Sequence, residues 1–143
     1  MKQKSSIQIG LLLIIIMMLG VSCEQERTSA ELIKSLEGRW LVEEDDPIYS
    51  KTKYYVNISI SSQDSSVIFI SNFYQCDDEV EANVEGRQIN LVSDQTITVN
   101  TISYTVVSGS GTITDDYRNI DWRYKVDDGS GEVYTVTAVY TKK

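Results

Sequence analysis

The sequence of 143 residues contains no histidine, and this absence removes several kinds of chemistry. Serine and cysteine hydrolases that use an imidazole base need that side chain, as do zinc sites with histidine ligands. Enzymatic activity would have to rely on paired carboxylates or on lysine. We therefore expect a protein that is not an enzyme and that needs no cofactor.

Cysteine and basic residues are also scarce. The two cysteines are Cys23 and Cys76, and if Cys23 is modified, Cys76 has no partner for an intramolecular disulfide. The carboxylates of Asp77 and Asp78 would raise the pKa of the Cys76 thiol, so we interpret it as a packing residue. Acidic residues outnumber basic residues by 21 to 13. This excess of negative charge argues against a nucleic-acid partner.

The N-terminus has no hydrophobic run long enough for a transmembrane helix. Lys2 and Lys4 precede an apolar run of nine residues, Leu11–Leu19, whereas a spanning helix needs about 20 residues. Small residues follow the run directly before Cys23. This order is typical of an export signal that is cleaved from the mature protein.

The segment that ends at Cys23 resembles the lipobox of bacterial lipoproteins, whose cysteine becomes the acylated first residue of the mature chain. The resemblance implies a signal peptide at residues 1–22, a tether at residues 23–28 and palmitate-type acylation of Cys23. The acidic residues after the cysteine are similar to surface-export signals of Bacteroidota lipoproteins. We therefore expect an outer-membrane lipoprotein of the cell envelope, displayed at the cell surface. An ordinary secretory signal is the alternative.

Removal of residues 1–22 leaves 121 of the 143 residues, and the net charge changes from −8 to −10 because two lysines leave with them. That length suits one domain, residues 29–143. Thr28 and Glu31 have the spacing of a helix-capping box, and Gly38 stands where a helix would end. The pattern predicts a short helix over residues 29–37.

From residue 39 onward, apolar and polar residues alternate with the period of β-strands. The alternation predicts an all-β domain of about eight antiparallel strands, near residues 39–44, 54–60, 67–73, 79–85, 88–92, 101–114, 120–126 and 134–140. The strand at 67–73 is nearly all apolar and is predicted to be buried on both sides. Because the other strands have one apolar face each, a single meander closed into a barrel buries all of these faces. A two-sheet sandwich is the alternative.

The tripeptide Gly38-Arg39-Trp40, which follows the predicted helix, resembles the Gly-x-Trp motif that opens the first strand of lipocalins (calycins). The resemblance implies a lipocalin-like barrel in which Trp40 plugs the closed end. The arginine that this family has near its last strand has no clear counterpart, because the C-terminus offers Lys142 and Lys143.

Two glycines, Gly109 and Gly111, lie on one face of the long strand at 101–114. Glycine weakens a strand interior, so its presence indicates a bulge or a close approach by another group. We expect a bulge at a corner of the barrel. The alternatives are that Trp122 or a ligand fills the space beside these glycines.

Aromatic and aliphatic side chains on the inward faces are candidates for a ligand pocket. We expect a small hydrophobic or glycan ligand, bound by a monomer, to contact Tyr54, Val56, Tyr104, Trp122, Tyr124, Val136 and Tyr140. A filled interior is the alternative, since an eight-stranded barrel is just wide enough for either. A filled barrel would act as an adhesin, an inhibitor or a subunit of an envelope complex, through loops such as 47–53 and 72–79.

Four acidic clusters lie at predicted strand ends, namely Glu43–Asp46, Asp77–Glu79, Asp115–Asp116 and Asp127–Asp128. We interpret them as solvated turns, because aspartate stabilises turns through hydrogen bonds to nearby backbone groups. Glycoside hydrolysis by a carboxylate pair and calcium binding at Asp127–Glu132 are the alternatives.

Overall fold

A computed structural model describes residues 28–143, in which nine β-strands follow one α-helix. The predicted signal peptide and Cys23 lie outside the described residues. The elements are α1 (Ser29–Leu36), β1 (Gly38–Asp46), β2 (Ser50–Ile60), β3 (Val67–Ser71), β4 (Glu79–Glu85), β5 (Gln88–Leu91), β6 (Gln95–Val99), β7 (Ile102–Ile113), β8 (Asn119–Asp127) and β9 (Val133–Lys142). A 3-10 turn, Phe73–Gln75, connects β3 to β4.

Helix α1 begins at the predicted capping box. The Thr28 hydroxyl accepts the Glu31 N–H at 3.3 Å, and the Glu31 carboxylate accepts the Thr28 N–H at 3.0 Å. The apolar face of the helix, Leu32, Ile33 and Leu36, is buried. The predicted short helix is therefore confirmed. No helix within residues 28–143 is both long and apolar enough to cross a membrane.

The strands form one antiparallel sheet in the order β5-β4-β3-β2-β1-β9-β8-β7-β6. Strand β5 also pairs with β7, from Gln88 opposite Thr112 to Asn90 opposite Ser110. This additional pairing closes eight strands into a barrel, while β6 pairs with the first half of β7. The predicted all-β closed barrel is confirmed, and the sandwich alternative is wrong.

The end of the barrel at which α1 lies, here called the helix end, contains Trp40. The indole of Trp40 is fully buried and donates its N–H to the carbonyl oxygen of Leu36 at 2.7 Å. The ammonium of Lys142 lies 4.9 Å from the centroid of the Trp40 ring and donates to the carbonyl oxygen of Glu37. Lysine thus supplies a cation beside the indole. The opposite end, here called the mouth, is formed by the β1–β2, β3–β4, β6–β7 and β8–β9 connections.

Strand β3 differs from its prediction in length and in burial. It ends at Ser71, and of its residues only Ile68 and Ile70 are buried, whereas Val67 and Phe69 are half-buried. The prediction of burial on both sides is wrong because a single-layered barrel wall has no second layer to cover its outer face. Phe73 is buried, but it belongs to the 3-10 turn.

The two glycines of β7 lie beneath aromatic rings of the neighbouring strand β8. A Cβ atom at Gly109 would lie 2.5 Å from the Cβ of Tyr124, and one at Gly111 would lie 2.8 Å from the Trp122 ring. The register of β7 and β8 shifts between Val106 and Ser108, as the predicted bulge requires. Side chains of β8 therefore fill the space beside the glycines.

Substitution of Gly111 by alanine tests this packing. We expect Gly111→Ala to lower the free energy of unfolding by about 1–3 kcal/mol, because the new methyl group would overlap the indole of Trp122. The control is Ser110→Ala, an exposed position between the two glycines, which should change it by less than about 0.5 kcal/mol. Chemical denaturation gives both values, and equal effects of the two substitutions would contradict the assigned packing.

Candidate functional site

Two aromatic side chains of the β3–β4 connection, Phe73 and Tyr74, close the mouth of the barrel and are here called the plug. Both are buried, although they belong to a connection between strands. The Phe73 ring lies 4.8 Å from the ring of Tyr124, centroid to centroid. The Tyr74 ring packs edge-on against Tyr104 at 5.6 Å and against Tyr49 at 6.1 Å. The plug therefore occupies the space that a ligand entering through the mouth would need.

The backbone of the plug is strained. Asn72, Tyr74 and Gln75 have φ angles of 61°, 55° and 59°, in the left-handed region. Such a conformation costs non-glycine residues on the order of 1–3 kcal/mol each, and bulky residues adopt it rarely. The side-chain amide of Asn72 holds the segment to β2 by donating to the carbonyl oxygen of Tyr55 at 2.6 Å. The closed plug is thus a conformation that its surroundings must stabilise.

The thiol of Cys76 contributes to this stabilisation. It is buried and donates to the carbonyl oxygen of Phe73 at 2.6 Å. Burial raises the pKa of Cys76; the hydrogen bond to the Asp78 carbonyl oxygen opposes this shift, and the carboxylates of Asp78 and Asp77 add to it. These contacts support the interpretation of Cys76 as a packing residue.

Two carboxylates, Glu44 and Asp46, point into the barrel beneath the plug. Only 3% of Glu44 and 2% of Asp46 is exposed, whereas the alternating residues Glu43 and Asp45 are exposed. The prediction of a solvated turn is therefore wrong for half of this acidic cluster. The reason is that β1 continues to Asp46, and strand alternation sends every second side chain inward.

Glu44 is held by two tyrosines, Tyr54 of the adjacent strand β2 and Tyr124 of β8, two strands away on the other side. Its Oε2 atom accepts a hydrogen bond from the Tyr54 hydroxyl at 2.6 Å and a second one from the Tyr124 hydroxyl. Burial raises the pKa of Glu44; the two tyrosine hydrogen bonds oppose this shift, and Asp46 adds to it. The two tyrosine hydrogen bonds thus offset part of the free-energy cost of burying the ionised Glu44 carboxylate.

Asp46 has one satisfied and one unsatisfied oxygen. Its Oδ1 atom accepts the backbone N–H groups of Ile48 and Tyr49, which shapes the β1–β2 connection. Its Oδ2 atom is buried without a hydrogen-bond partner. Burial raises the pKa of the Tyr74 hydroxyl, and its hydrogen-bonding proximity to the Asp46 carboxylate adds to the shift, although the two groups do not form a hydrogen bond of good geometry. The plug and this carboxylate are therefore neighbours.

Several other polar atoms inside the barrel also have no hydrogen-bond partner. Among the described residues, the buried side-chain atoms without one are Asp46 Oδ2, Thr52 Oγ1, Tyr74 Oη, Trp122 Nε1 and Tyr140 Oη. Thr52 of β2 lies directly opposite Glu44. On the other side of Glu44, Ala138 of β9 and then Trp122 of β8 continue the same row of inward-facing residues. Each buried polar group without a hydrogen-bond partner destabilises the folded state by about 1–3 kcal/mol. The interior therefore contains a concentrated group of unsatisfied donors and acceptors.

The structure places every predicted ligand-contacting side chain on the inner face of the wall. Six are buried and Tyr54 is half-buried, and they are Tyr54, Val56, Tyr104, Trp122, Tyr124, Val136 and Tyr140. They do not form one group, however. Tyr54, Tyr124 and Tyr140 surround Glu44, whereas Val56 pairs with Trp40 towards the helix end. Tyr104 lies at the mouth, where its hydroxyl contacts that of Tyr49. Binding of a ligand by these residues stays a prediction.

Sequence reasoning missed four residues of this site, namely Glu44, Asp46, Phe73 and Tyr74. Glu44 and Asp46 share the parity of Trp40 and Val42, and that signal was present in the sequence. No comparable signal marks the plug, because an apolar stretch reads the same whether it continues a strand or folds inward.

A groove of about 430 Å³ lies on the wall of the barrel and is open to solvent. Exposed side chains at its edge include Lys51, Lys53, Glu43 and Asp121. The row of inward-facing residues that contains Thr52, Glu44, Ala138 and Trp122 also contributes to its lining. The Lys53 ammonium and the Glu43 carboxylate are 2.6 Å apart there. The lining of the groove includes Glu44, Thr52 and Trp122, which also belong to the polar interior.

Acidic residues at the other strand ends act as turn residues. Asp127 accepts the Gly129 N–H at 2.7 Å, and Asp128 accepts the Ser130 N–H at 2.9 Å. Asp78 is different, because it accepts the Thr98 N–H at 2.7 Å and so links the β3–β4 connection to β6. Within residues 28–143, no three metal-binding side chains lie close enough together to hold an ion.

The chain matches no protein-family model and no curated protein. Its fold does match solved structures. The structure "EF1p2_mFAP2b bound to DFHBI" is 13% identical with a TM-score of 0.55, over 81% of this chain and 100% of that one. The structure of "a redesigned beta barrel, b11L5F_LGL" is 10% identical with a TM-score of 0.48, over 82% of this chain and 99% of that one. The first likeness shows a β-barrel fold. It does not extend to function at this level of identity.

The pH dependence of stability tests the burial of Glu44. Because its pKa is raised above 4.5 in the folded state, the folded protein binds a proton more readily than the unfolded chain does. The free energy of unfolding should therefore fall as the pH rises from 4.5 through the raised pKa. Glu44→Gln should weaken this decline and raise the melting temperature at pH 7.

The matched control is the neighbouring Glu43→Gln. Glu43 is exposed, and the hydrogen bond from Lys53 lowers its pKa. Its substitution should leave the decline above pH 4.5 unchanged. Thermal unfolding between pH 4.5 and 8 gives all three curves, and a Glu44→Gln curve parallel to that of the native chain would contradict the assigned environment.

Proposed function

We propose that the protein is a non-enzymatic, monomeric lipoprotein of the outer membrane whose barrel binds a small ligand beneath the Phe73–Tyr74 plug. The observation that carries this proposal is the group of buried polar atoms that have no partner. Apolar side chains at those positions would stabilise a purely structural barrel better. A ligand with its own donors and acceptors would satisfy them, as in other concave sites.

The strain of the plug supports a site that opens. Its left-handed residues raise the free energy of the closed state and so reduce the cost of moving Phe73 and Tyr74 outward. The two rings would leave a space lined by Tyr124 and Tyr104, with Glu44 below it. A ligand would thus replace side chains of the protein and would not require a cavity that is already empty.

The rim of the mouth supports access for a partly apolar ligand. Large apolar side chains are 37–52% exposed there, in or next to three of the four connections, and they are Ile48, Tyr49, Ile102 and Val133. Exposed apolar side chains around an opening favour contact with an apolar ligand.

The position of the helix fits an anchor at Cys23. Helix α1 begins directly after Thr28 and leads into β1 at the helix end of the barrel. An acylated Cys23 would therefore attach the helix end to the membrane, and the mouth would face away from it. A barrel presented in this way could take up ligand from solution.

The dense aromatic interior favours a second candidate function. Phe73, Trp122 and Tyr124 already fill the barrel, as a solid domain requires. Such a domain would act through its outer surface as an adhesin, an inhibitor or a subunit of an envelope complex, and the open groove beside Lys53 would be a candidate contact site.

Removal of the plug distinguishes the two functions. We expect Phe73→Ala to bind the neutral dye Nile red about tenfold more tightly than the unsubstituted chain, because the ring that competes for the site is gone. The measurement is dye fluorescence with the full chain carrying Cys23→Ala, which has no acyl group. The control, Phe69→Ala, removes a half-buried ring from β3 and should leave the affinity unchanged. Absence of binding by both variants would favour the solid barrel.

The anchor is tested by acyl labelling in cells. Cys23→Ala should abolish incorporation of labelled palmitate and release the protein from the membrane fraction, because the acceptor sulfur is lost. Cys76→Ala is the matched control and should keep both properties. Continued labelling of Cys23→Ala would contradict the proposed anchor.

A further inference from the structure

We propose that the ligand of the barrel is an organic cation, a protonated primary amine with an apolar body, whose ammonium group binds between Glu44 and Asp46. This inference rests on the proposed function and names the ligand class of the same site. It excludes fatty acids and other anions as the preferred ligands.

The charge balance of the interior is the first argument. Glu44 and Asp46 are the charged side chains that are buried within residues 28–143. The ion pairs of that region join Lys34 to Glu37, Lys53 to Glu43 and Arg87 to Asp115, all with exposed side chains, and none includes either buried acid. Buried charges are normally paired. The interior therefore has two acids and no cation of its own.

The unsatisfied atoms are the second argument, and they are independent of the charge. The Asp46 Oδ2 atom is buried beside the Tyr74 hydroxyl, but no hydrogen bond of good geometry joins the two. The hydroxyl oxygens of Thr52 and Tyr140 are also buried without a hydrogen bond of good geometry, and the fully buried Tyr140 lies beside the Tyr54 hydroxyl. Thr52 lies opposite Glu44 in the sheet, and Tyr140 is close enough for the Glu44 carboxylate to add to the effect of burial in raising its pKa. An ammonium group has three donors and no acceptor, so it is a group that buried acceptors of this kind can bind.

Aromatic side chains lie close to Glu44. Tyr54 and Tyr124 donate hydrogen bonds to it, and Trp122 stands in the same row of the sheet, with its ring centroid 5.5 Å from that of Tyr140. The faces of tyrosine and tryptophan rings attract cations, most strongly where water is excluded. The same rings provide apolar area for the body of the ligand. The indole N–H of Trp122 has no acceptor, so a ligand that also carries a hydroxyl or carbonyl group would satisfy it.

The overall charge favours the same class of ligand. After removal of residues 1–22 the chain has a net charge of −10, which attracts cations and repels anions. A carboxylate ligand would enter an interior that has two acids and no buried lysine or arginine. Its desolvated charge would have no partner there.

Three probes of similar size and different charge test the inference. They are 2-phenylethylamine (a cation), 2-phenylethanol (neutral) and phenylacetate (an anion), measured by calorimetry at pH 7.5 with the full chain carrying Cys23→Ala. We expect the amine to bind about tenfold or more tightly than the alcohol, and phenylacetate not to bind. This comparison needs no further substitution, so it remains decisive even if a variant fails to fold.

Strand β1 provides matched variants, because its inward and outward acids alternate. Glu44→Gln and Asp46→Asn should each weaken binding of the amine about tenfold. The exposed neighbours, Glu43→Gln and Asp45→Asn, should leave the affinity for the amine unchanged.

The outcomes separate this inference from the proposed function. Equal affinity for the amine and the alcohol, or tighter binding of phenylacetate, would overturn the cation inference while a dye-binding barrel remained. Failure of Nile red and of all three probes to bind would overturn the proposed function, and the inference with it.

Discussion

Pairing of β5 with β7 is the constraint on which the rest of the structure depends. Three residue pairs between these strands close the sheet, and closure gives every strand an inner face. Without it, Glu44 and Asp46 would lie on the exposed face of an open sheet and would need no partner. With it, they lie inside, together with the tyrosines of β2, β8 and β9. Closure therefore creates the interior, and the burial of polar groups there costs free energy.

The two halves of the barrel differ in backbone strain and in how well their buried polar groups are hydrogen-bonded. At the helix end, Trp40 is buried, its N–H is satisfied by Leu36, and Lys142 lies over its ring. At the mouth end, a strained aromatic segment covers buried acids and unmet hydroxyls. One half is built for stability. The other accepts strain and unsatisfied polar groups, which native proteins concentrate at functional sites.

The sequence was sufficient to predict the barrel, because alternation with a period of two continues through almost every strand. It also predicted which aromatic residues point inward, since Tyr54, Trp122, Tyr124 and Tyr140 follow that alternation. It failed for Glu44 and Asp46, whose chemistry suggested a solvated turn although their parity placed them inside. It failed for Phe73 and Tyr74 for another reason. The left-handed turn at Asn72 that folds them inward depends on tertiary contacts, such as the one to Tyr55, and leaves no periodic signal.

We propose that the closed wall, the buried acids and the strained plug form a barrel whose own side chains occupy the space that a ligand would take. A crystal structure of the chain grown with 2-phenylethylamine tests this claim most directly. We expect density for the amine inside the barrel, with its nitrogen within hydrogen-bond distance of Glu44 and with Phe73 displaced from Tyr124. A structure in which Phe73 remains packed against Tyr124, and the amine is absent or lies in the groove beside Lys53, would contradict the claim.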